Sequence, residues 1–371
     1  MNPLLRLPGS PLQERLAPRD LGRRRVLAVQ GDVLYAARGF HLERSLDGGL
    51  NFEKLASVTP TLSERVMASG SLTQRFFRTG FHHLLPLGAG AFVAVVRGRL
   101  LHLEPGSTRF TTAHHVEHGT RPLNVCRSAT GRVWFGEYWN NAERDAVHIY
   151  GSDDGRAFEV AHSFSRGAVR HIHGIHADPH RGGMWVLTGD DGPEVGLWWT
   201  DDDFKTLEPV LRGEQRARAV SVICTPEGLV LPTDTPQESN RVQFFDPRSG
   251  RLEELAELPG SCFAATSSRG MHYLSTAVEK SAVNTDTRAA LFASANGFDW
   301  RPVARFERDL ALLNDRRGYL QYPTLLLAAG DSRLPYLYAT AQSIKGLHGR
   351  CLRWSESDVR ELLGVDSAVA A

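Results

Sequence analysis

An all-β chain built from one repeated four-stranded unit is the fold that this 371-residue sequence predicts, on three observations. A hairpin-turn motif recurs at wide intervals. Short β-like runs, punctuated by Gly, Asp, Asn and Pro, fill the chain between its copies. No stretch sustains the 3.6-residue period of an amphipathic helix.

The clearest copy of the motif is Ser45-Leu46-Asp47-Gly48-Gly49-Leu50-Asn51-Phe52, of the form S-x-D-x-G-x-x-[FW]. Two copies one residue shorter are Ser152-Asp153-Asp154-Gly155-Arg156-Ala157-Phe158 and Ser294-Ala295-Asn296-Gly297-Phe298-Asp299-Trp300, and Thr200-Asp201-Asp202-Asp203-Phe204 reads as a worn copy. In such a turn Asp or Asn accepts bonds from turn amides, Gly takes positive φ, and the aromatic packs back beneath. Each full copy follows a β-like run such as VHIYG or ALFAS.

Around the boxes the chain divides into seven units, each readable as four strands. The first runs RVLAVQ, VLYAAR, HLERSLDGG, FEKLAS; the fourth HIHGIHAD, GMWVLTGD, GLWWTDD, LEPVLRG; the seventh YPTLLLAA, LPYLYATA, GRCLRWS, DVRELLG. Such a sheet alone exposes both faces, and stacking the sheets radially buries them, which predicts a β-propeller. The expected architecture is a single domain over 1–371 with seven blades of four antiparallel strands, or six if a terminal unit is degenerate. Residues 1–24 form an N-terminal extension and 25–371 the blades. Residues 58–79 are the least regular part, with SERVMASGSLTQRFF a short helix or a crossing loop.

The boxes resemble the BNR/Asp-box repeats of sialidase-type propellers, over most of the chain. The segments GEYWNNAERD, HIHGIHADP, WVLTGDDG and PTDTPQESN are similar to those of bacterial BNR-repeat proteins labelled glycosyl hydrolase. The resemblance implies fold before activity, because the box is a structural turn shared by glycosidases, lyases and non-catalytic propellers. Sialidases carry Arg-Ile-Pro in the first blade, where this chain has Arg25-Val26-Leu27-Ala28 without the Pro. Their three-arginine carboxylate clamp and Tyr/Glu nucleophile pair are not placed by motif.

Composition narrows the partners. With 43 Lys+Arg against 42 Asp+Glu the net charge is +1, which argues against nucleic acid held by bulk charge. No run approaches the 18 apolar residues of a membrane helix. MNPLLRLPGSPLQERL lacks the apolar core of a signal peptide, and the four Cys (Cys126, Cys224, Cys262, Cys351) sit singly without CxxC spacing, so buried free thiols in a cytoplasmic setting are expected. Four of the basic residues are Lys and 39 Arg, a bias suggesting a GC-rich bacterial genome, and twelve of the fifteen His lie between His82 and His180.

Propeller topology supplies a geometric filter. Innermost strands begin on one face, the top, where the loops between second and third strands also lie, and the boxes turn on the opposite face. Arg170-His171-Ile172-His173 is the sharpest top-face feature, since period 2 aims both imidazoles the same way. Three readings stand: a general acid/base pair, metal ligation with His82 or His83, or imidazoles packed between blades. His176 and Asp178-Pro179-His180 fall at the bottom turn and read as structural.

Glu137 and Tyr138 are a carboxylate and a phenol for acid/base or nucleophilic work, and Asp190 is a second carboxylate whose pKa a neighbour could raise into the acid role. Arg121, Arg170 and Arg218 open blades 3, 4 and 5 and suit an anionic ligand, against the reading that inter-blade ion pairs absorb them. Arg144, Asn140, Asp234, Asn240, His82 and His83 complete the expected substrate-binding set, within a wider top-face group that includes Glu279 and Tyr322. The expected function is a carbohydrate-active enzyme cleaving an acidic or polar glycoside, by hydrolysis (Glu137, Asp190, His173) or by elimination at a uronate (His173 or Tyr138 as base). The alternative is a non-catalytic propeller that binds glycan or protein. The expected partner is an acidic oligosaccharide or glycoconjugate, with no nucleic acid and no membrane. No cofactor is expected, except a divalent metal on His171, His173 and His83 under the metal reading.

Overall fold

The structure, a computed structural model, describes residues 16–279, 281–310 and 321–365. It contains seven four-stranded antiparallel sheets arranged as the blades of a propeller. The innermost strands are Arg25–Gln30, Phe81–Gly88, Cys126–Arg127, Ile172–Ala177, Ile223–Cys224, Cys262–Ser268 and Thr324–Leu327.

The core lies between blades. Val93, Val95 and Leu100 of blade 2 pack on Val133, Phe135 and Tyr150 of blade 3, and Trp185, Leu187 and Leu197 of blade 4 pack on Leu229, Leu231 and Phe245 of blade 5. Each remaining interface, including blade 7 on blade 1, holds an equivalent cluster. Both sheet faces are therefore covered, which is why strands such as Phe92–Val96 read as unbroken apolar runs rather than alternating ones.

Two elements differ from the sequence reading. The last blade takes its fourth strand from the N-terminal side: Arg19–Arg23 pairs with Arg350–Ser355, closing the ring, so this part of the expected extension belongs to a blade. Residues 1–15 of that extension lie outside the described residues. DVRELLG is helical instead, within the helix Glu356–Leu363, which seats Val359 in the core of blades 6 and 7. The irregular segment holds two helices, α1 (Leu62–Met67) and α2 (Ser71–Phe77). Thr61 and Glu64 cap α1 reciprocally, and the pair crosses the top face, tied by Glu64–Arg99 (2.8 Å) to blade 2 and by Arg75–Asp309 (2.7 Å) to the end of blade 6.

The boxes turn as expected. In the first, Gly49 N–H donates to Ser45 Oγ (2.8 Å), and Asp47 Oδ1 accepts from the amides of Leu50 (3.0 Å) and Asn51 (2.9 Å). The worn copy keeps this geometry: Thr200 Oγ1 accepts from Phe204 N–H (3.2 Å) and Asp202 Oδ1 from Thr206 N–H (3.0 Å). All four cysteines are free.

Candidate functional site at the mouth of the central channel

Blade 4 contributes the densest group. The pairing of Ile172–Ala177 with Met184–Thr188 is bulged between Ile172 and Gly174, and the extra residue is His173. The innermost strands of blades 1, 2 and 6 carry the same irregularity, at Leu27, His82 and Phe263. The bulge is thus a device of the repeat, and blades 2 and 4 both load it with an imidazole. His171 and His173 emerge side by side, with Nε2 atoms 3.0 Å apart. His171 Nδ1 donates to the Trp139 carbonyl (2.8 Å) and His173 Nδ1 to the Ala219 carbonyl (3.0 Å).

Asp190 meets them from the loop after Met184–Thr188. That loop doubles back at Gly189 (φ 109°), where a Cβ would lie 2.3 Å from the Val195 backbone, so only glycine fits. Asp190 Oδ2 lies 3.4 Å from His171 Nε2, and Oδ1 3.3 Å from His173 Nε2. Two guanidiniums close the group: Arg170 reaches Oδ2 and Arg218 reaches Oδ1, each at 3.0 Å. Burial pushes the Asp190 carboxyl up, but the two imidazoles outweigh it and hold the group well below the usual carboxylate range. Burial lowers His171, with Asp190 opposing the shift in part.

Blades 1 to 3 bring Arg25, Arg97 and Arg121 to the top face, none of them with a carboxylate partner among the described residues. Arg121 is partly buried and makes no hydrogen bond or ion pair among the described residues. Burial, and then the positive charges of Arg78, Arg25 and Arg97, lower it to about 9. Arg25 is lowered by burial to about 10 and bonds only the His82 carbonyl (3.1 Å), and Arg97 bonds the Phe77 carbonyl (2.9 Å). Among the described residues no carboxylate pairs with Arg25, Arg97 or Arg121. His82 and His83 add no charge: burial and the flanking arginines hold His82 well below its ordinary value and His83 down to about 3.

Tyr138 stands between the two groups. Its ring lies 4.5 Å from that of His171, and its hydroxyl makes no hydrogen bond among the described residues. Burial and the charges of Asp190 and Asp234 raise it to about 12, against Arg121 and Arg78. On the far side, Asp234 lies 3.5 Å from Arg218 with Oδ1 buried and without a hydrogen bond among the described residues. Glu279, which accepts from Ser261 Oγ (3.2 Å), is raised by burial and by Asp234.

The top face therefore brings together His171, His173, Asp190, Arg170, Arg218, Tyr138, Asp234 and Arg121, with Asn140 on Arg170 and His83 beside Arg121, while Glu137, Asn240, Arg144 and His82 are engaged elsewhere. Glu137 is spent within blade 3, where its carboxylate accepts from His118 Nδ1 (2.9 Å) and His148 N–H (2.8 Å). Asp190 is not raised into an acid role but lowered, because two imidazoles and two guanidiniums surround it. Asn240 is sealed by Thr235 and Asn284, Arg144 clips its loop to Glu194, and Asn140 accepts from Arg170. His82 Nε2 donates to the Arg78 carbonyl (2.7 Å), which fixes the end of α2. His83 stands with the arginines, outside the potential metal-binding group His171, His173 and Asp190.

Sequence reasoning passes over Arg25 and Arg97 and leaves Glu279 in the wider group. Arg25 opens the first innermost strand, so the position rule that selects Arg170 selects it too.

No family model matches the chain, and no curated protein matches it. Solved structures do. A structure described as YCF48 bound to D1 peptide aligns with a TM-score of 0.55 at 14% identity, covering 91% of this chain and 96% of that one. A chain of a mitotic checkpoint complex aligns at 0.54 and 12% identity, covering 95% and 96%. The extracellular domain of the one component system BT4673 from B. thetaiotaomicron aligns at 0.55 and 11% identity over 90% of this chain, which spans 40% of that one. At these identities the likeness is one of fold: a seven-bladed propeller.

Proposed function

We propose that this propeller is a carbohydrate-active enzyme that takes the carboxylate of an acidic glycan into the arginine half of the mouth and breaks the neighbouring glycosidic bond by elimination. The observation that carries this reading is Arg121, a partly buried guanidinium with no partner among the described residues, facing Arg25, Arg78 and Arg97 and coupled to Tyr138. Massed buried cations oppose folding, and an entering carboxylate relieves them through charge-assisted hydrogen bonds. The same guanidiniums would stabilise the charge that develops on the carboxylate when the adjacent carbon loses its proton.

Elimination is favoured over hydrolysis because the expected carboxylate pair is not free. Glu137 is bonded within its blade, and an Asp190 held ionised cannot donate a proton. Tyr138, protonated at rest with an unengaged hydroxyl, suits the proton donor to the leaving oxygen. The proton leaves toward its other side, where His171, His173 and Asp190 converge, and is taken by an imidazole Nε2 or by a hydroxide held at those nitrogens.

The test is a screen of uronate oligosaccharides with the wild type and Tyr138→Phe. Elimination yields a product with the ultraviolet absorbance of a conjugated double bond, and the variant should lose about 10²–10⁴-fold in kcat with KM little changed. New reducing ends without that absorbance would overturn elimination. Saturable binding without turnover would leave a binding module.

A further inference from the structure

We infer that His171, His173 and Asp190 form a binding site for one divalent transition-metal ion of the zinc class. The inference starts from hydrogens. Both Nδ1 atoms face backbone carbonyls, which only accept, so each ring carries its proton on Nδ1. In neutral rings both Nε2 atoms then present lone pairs, and these point at each other across 3.0 Å. The Asp190 oxygens, acceptors as well, complete the triangle at 3.4 and 3.3 Å. Three acceptors converge with no donor among them, and a positive species at the centre would relieve their repulsion, beyond what Arg170 and Arg218 supply to Asp190 from outside.

The dimensions suit a metal ion. Donors bound at about 2.0–2.1 Å around a tetrahedral ion lie roughly 3.3 Å from one another. Two imidazoles and one carboxylate match zinc-class ions, whereas magnesium and calcium take oxygen donors. The outer layer is also in place. Metal-binding imidazoles characteristically donate their second N–H to a carbonyl or carboxylate, and ligating carboxylates are themselves hydrogen-bonded. Here Trp139 and Ala219 hold the rings, and Arg170 and Arg218 hold Asp190. The bulge at His173 and the tight loop at Gly189 fix the donors beforehand. Two flanking guanidiniums repel a cation, and the charges of Asp190 and of Asp234 beyond Arg218 offset part of that repulsion. Three protein donors leave the remaining positions to water or a ligand oxygen, as in catalytic rather than structural sites.

The rival occupant is a proton, shared between the imidazoles over Asp190. Chelator-stripped wild-type protein titrated with cobalt(II) chloride distinguishes the two without any assay of turnover. The expected result is one equivalent of Co²⁺ with visible absorption bands of a low-coordinate nitrogen/oxygen site, displaced by one equivalent of Zn²⁺. His173→Gln should weaken zinc binding by more than about tenfold, since loss of an outer-layer partner alone costs about 10–100-fold. Its metal-free melting temperature serves as the fold control. Absence of the bands in the wild type, or equal zinc affinity in a folded His173→Gln, overturns the site, the latter by assigning the metal to exposed histidines such as His41 and His180. If the variant does not fold, the wild-type cobalt spectrum and zinc displacement decide alone. Failure here leaves the glycan-cleavage reading standing, since that reading is scored on product.

Discussion

The two halves of the mouth are furnished with the same residue and use it in opposite ways. On the side of blades 4 and 5, Arg170 and Arg218 end on the Asp190 carboxylate. On the side of blades 1 to 3, Arg25 and Arg97 end on neutral carbonyls, and Arg121 ends on nothing among the described residues. One half is a closed electrostatic structure and the other an open one. Paired charges hold the fold, and partly buried charges with no counter-charge among the described residues are available to a ligand. Arg121, Arg170 and Arg218 look equivalent in sequence, yet only the first is left uncommitted.

The sharpest way to break this comparison is to truncate one arginine on each side. Arg218→Ala leaves Asp190 and Asp234 short of a counter-charge and should cost about 3–5 kcal/mol of stability, the usual cost of removing one partner from a buried pair. Arg121→Ala removes a repelled cation, so its urea midpoint should stay or rise. Equal losses in the two variants would show that the halves do not differ. The same Arg121→Ala should weaken binding of an acidic oligosaccharide by roughly 10–100-fold, the equivalent of a lost charged hydrogen bond of about 1.5–3 kcal/mol. An unchanged affinity would move the anion site elsewhere.

That distinction marks the limit of what the sequence could say. The propeller was legible because its signals are local: a box turn needs a hydroxyl, a carboxylate or amide, and a glycine within a few residues, and doubly covered strands read as apolar runs. Arg19–Arg23 was not, because an outermost strand exposes most of its side chains and RDLGR carries no apolar pattern. DVRELLG takes the place of a fourth strand in the sequence pattern, although Val359, Leu362 and Leu363 follow helical spacing onto the core of blades 6 and 7. In the site, period 2 correctly aligned His171 with His173, and the loop rule delivered Asp190 to them. Whether a charge is paired depends on distant chain segments. Asp190 is claimed by residues 20 positions upstream and 28 downstream, and Arg121 is surrounded by Arg25, Arg78 and Arg97 from other units, so neither state could be read locally.

Acid titration sharpens the comparison, because the arginine half holds lowered histidines alone while the other half adds a depressed carboxylate to one. His83, in the arginine half, is held neutral with its pKa lowered from 6.5 to about 3. Below 6.5 the unfolded chain takes up a proton that the fold refuses, so this contribution is full above 6.5 and falls as the pH drops toward 3. Asp190 is depressed from 3.8, so its contribution is full above 3.8 and is lost only below it. His171, lowered by burial on the other side, begins to lose its contribution in the same window, and Asp190 adds its loss only below 3.8. His83→Gln should flatten the decline between about pH 6.5 and about pH 5 by about 1–2 kcal/mol. An identical profile in urea titrations would mean that His83 is not buried among the arginines as described.

The smallest expected effect tests the boundary of the site. Arg144 belongs by sequence to the polar loop that follows Tyr138, but the fold turns its guanidinium to Glu194 and to the Asn141 carbonyl (2.9 Å), where it clips the blade 3 loop to blade 4. It also adopts a left-handed backbone (φ 55°), which costs any non-glycine residue and favours glycine. Arg144→Gly therefore loses a partly exposed ion pair worth about 1 kcal/mol or less and regains part of that through the backbone. Its melting temperature should shift little, and affinity for an acidic oligosaccharide should be unchanged beside the loss in Arg121→Ala. A variant at Arg144 that impaired binding as strongly as Arg121→Ala would extend the anion site past Tyr138 into blade 4, and the division between a closed and an open half would no longer hold.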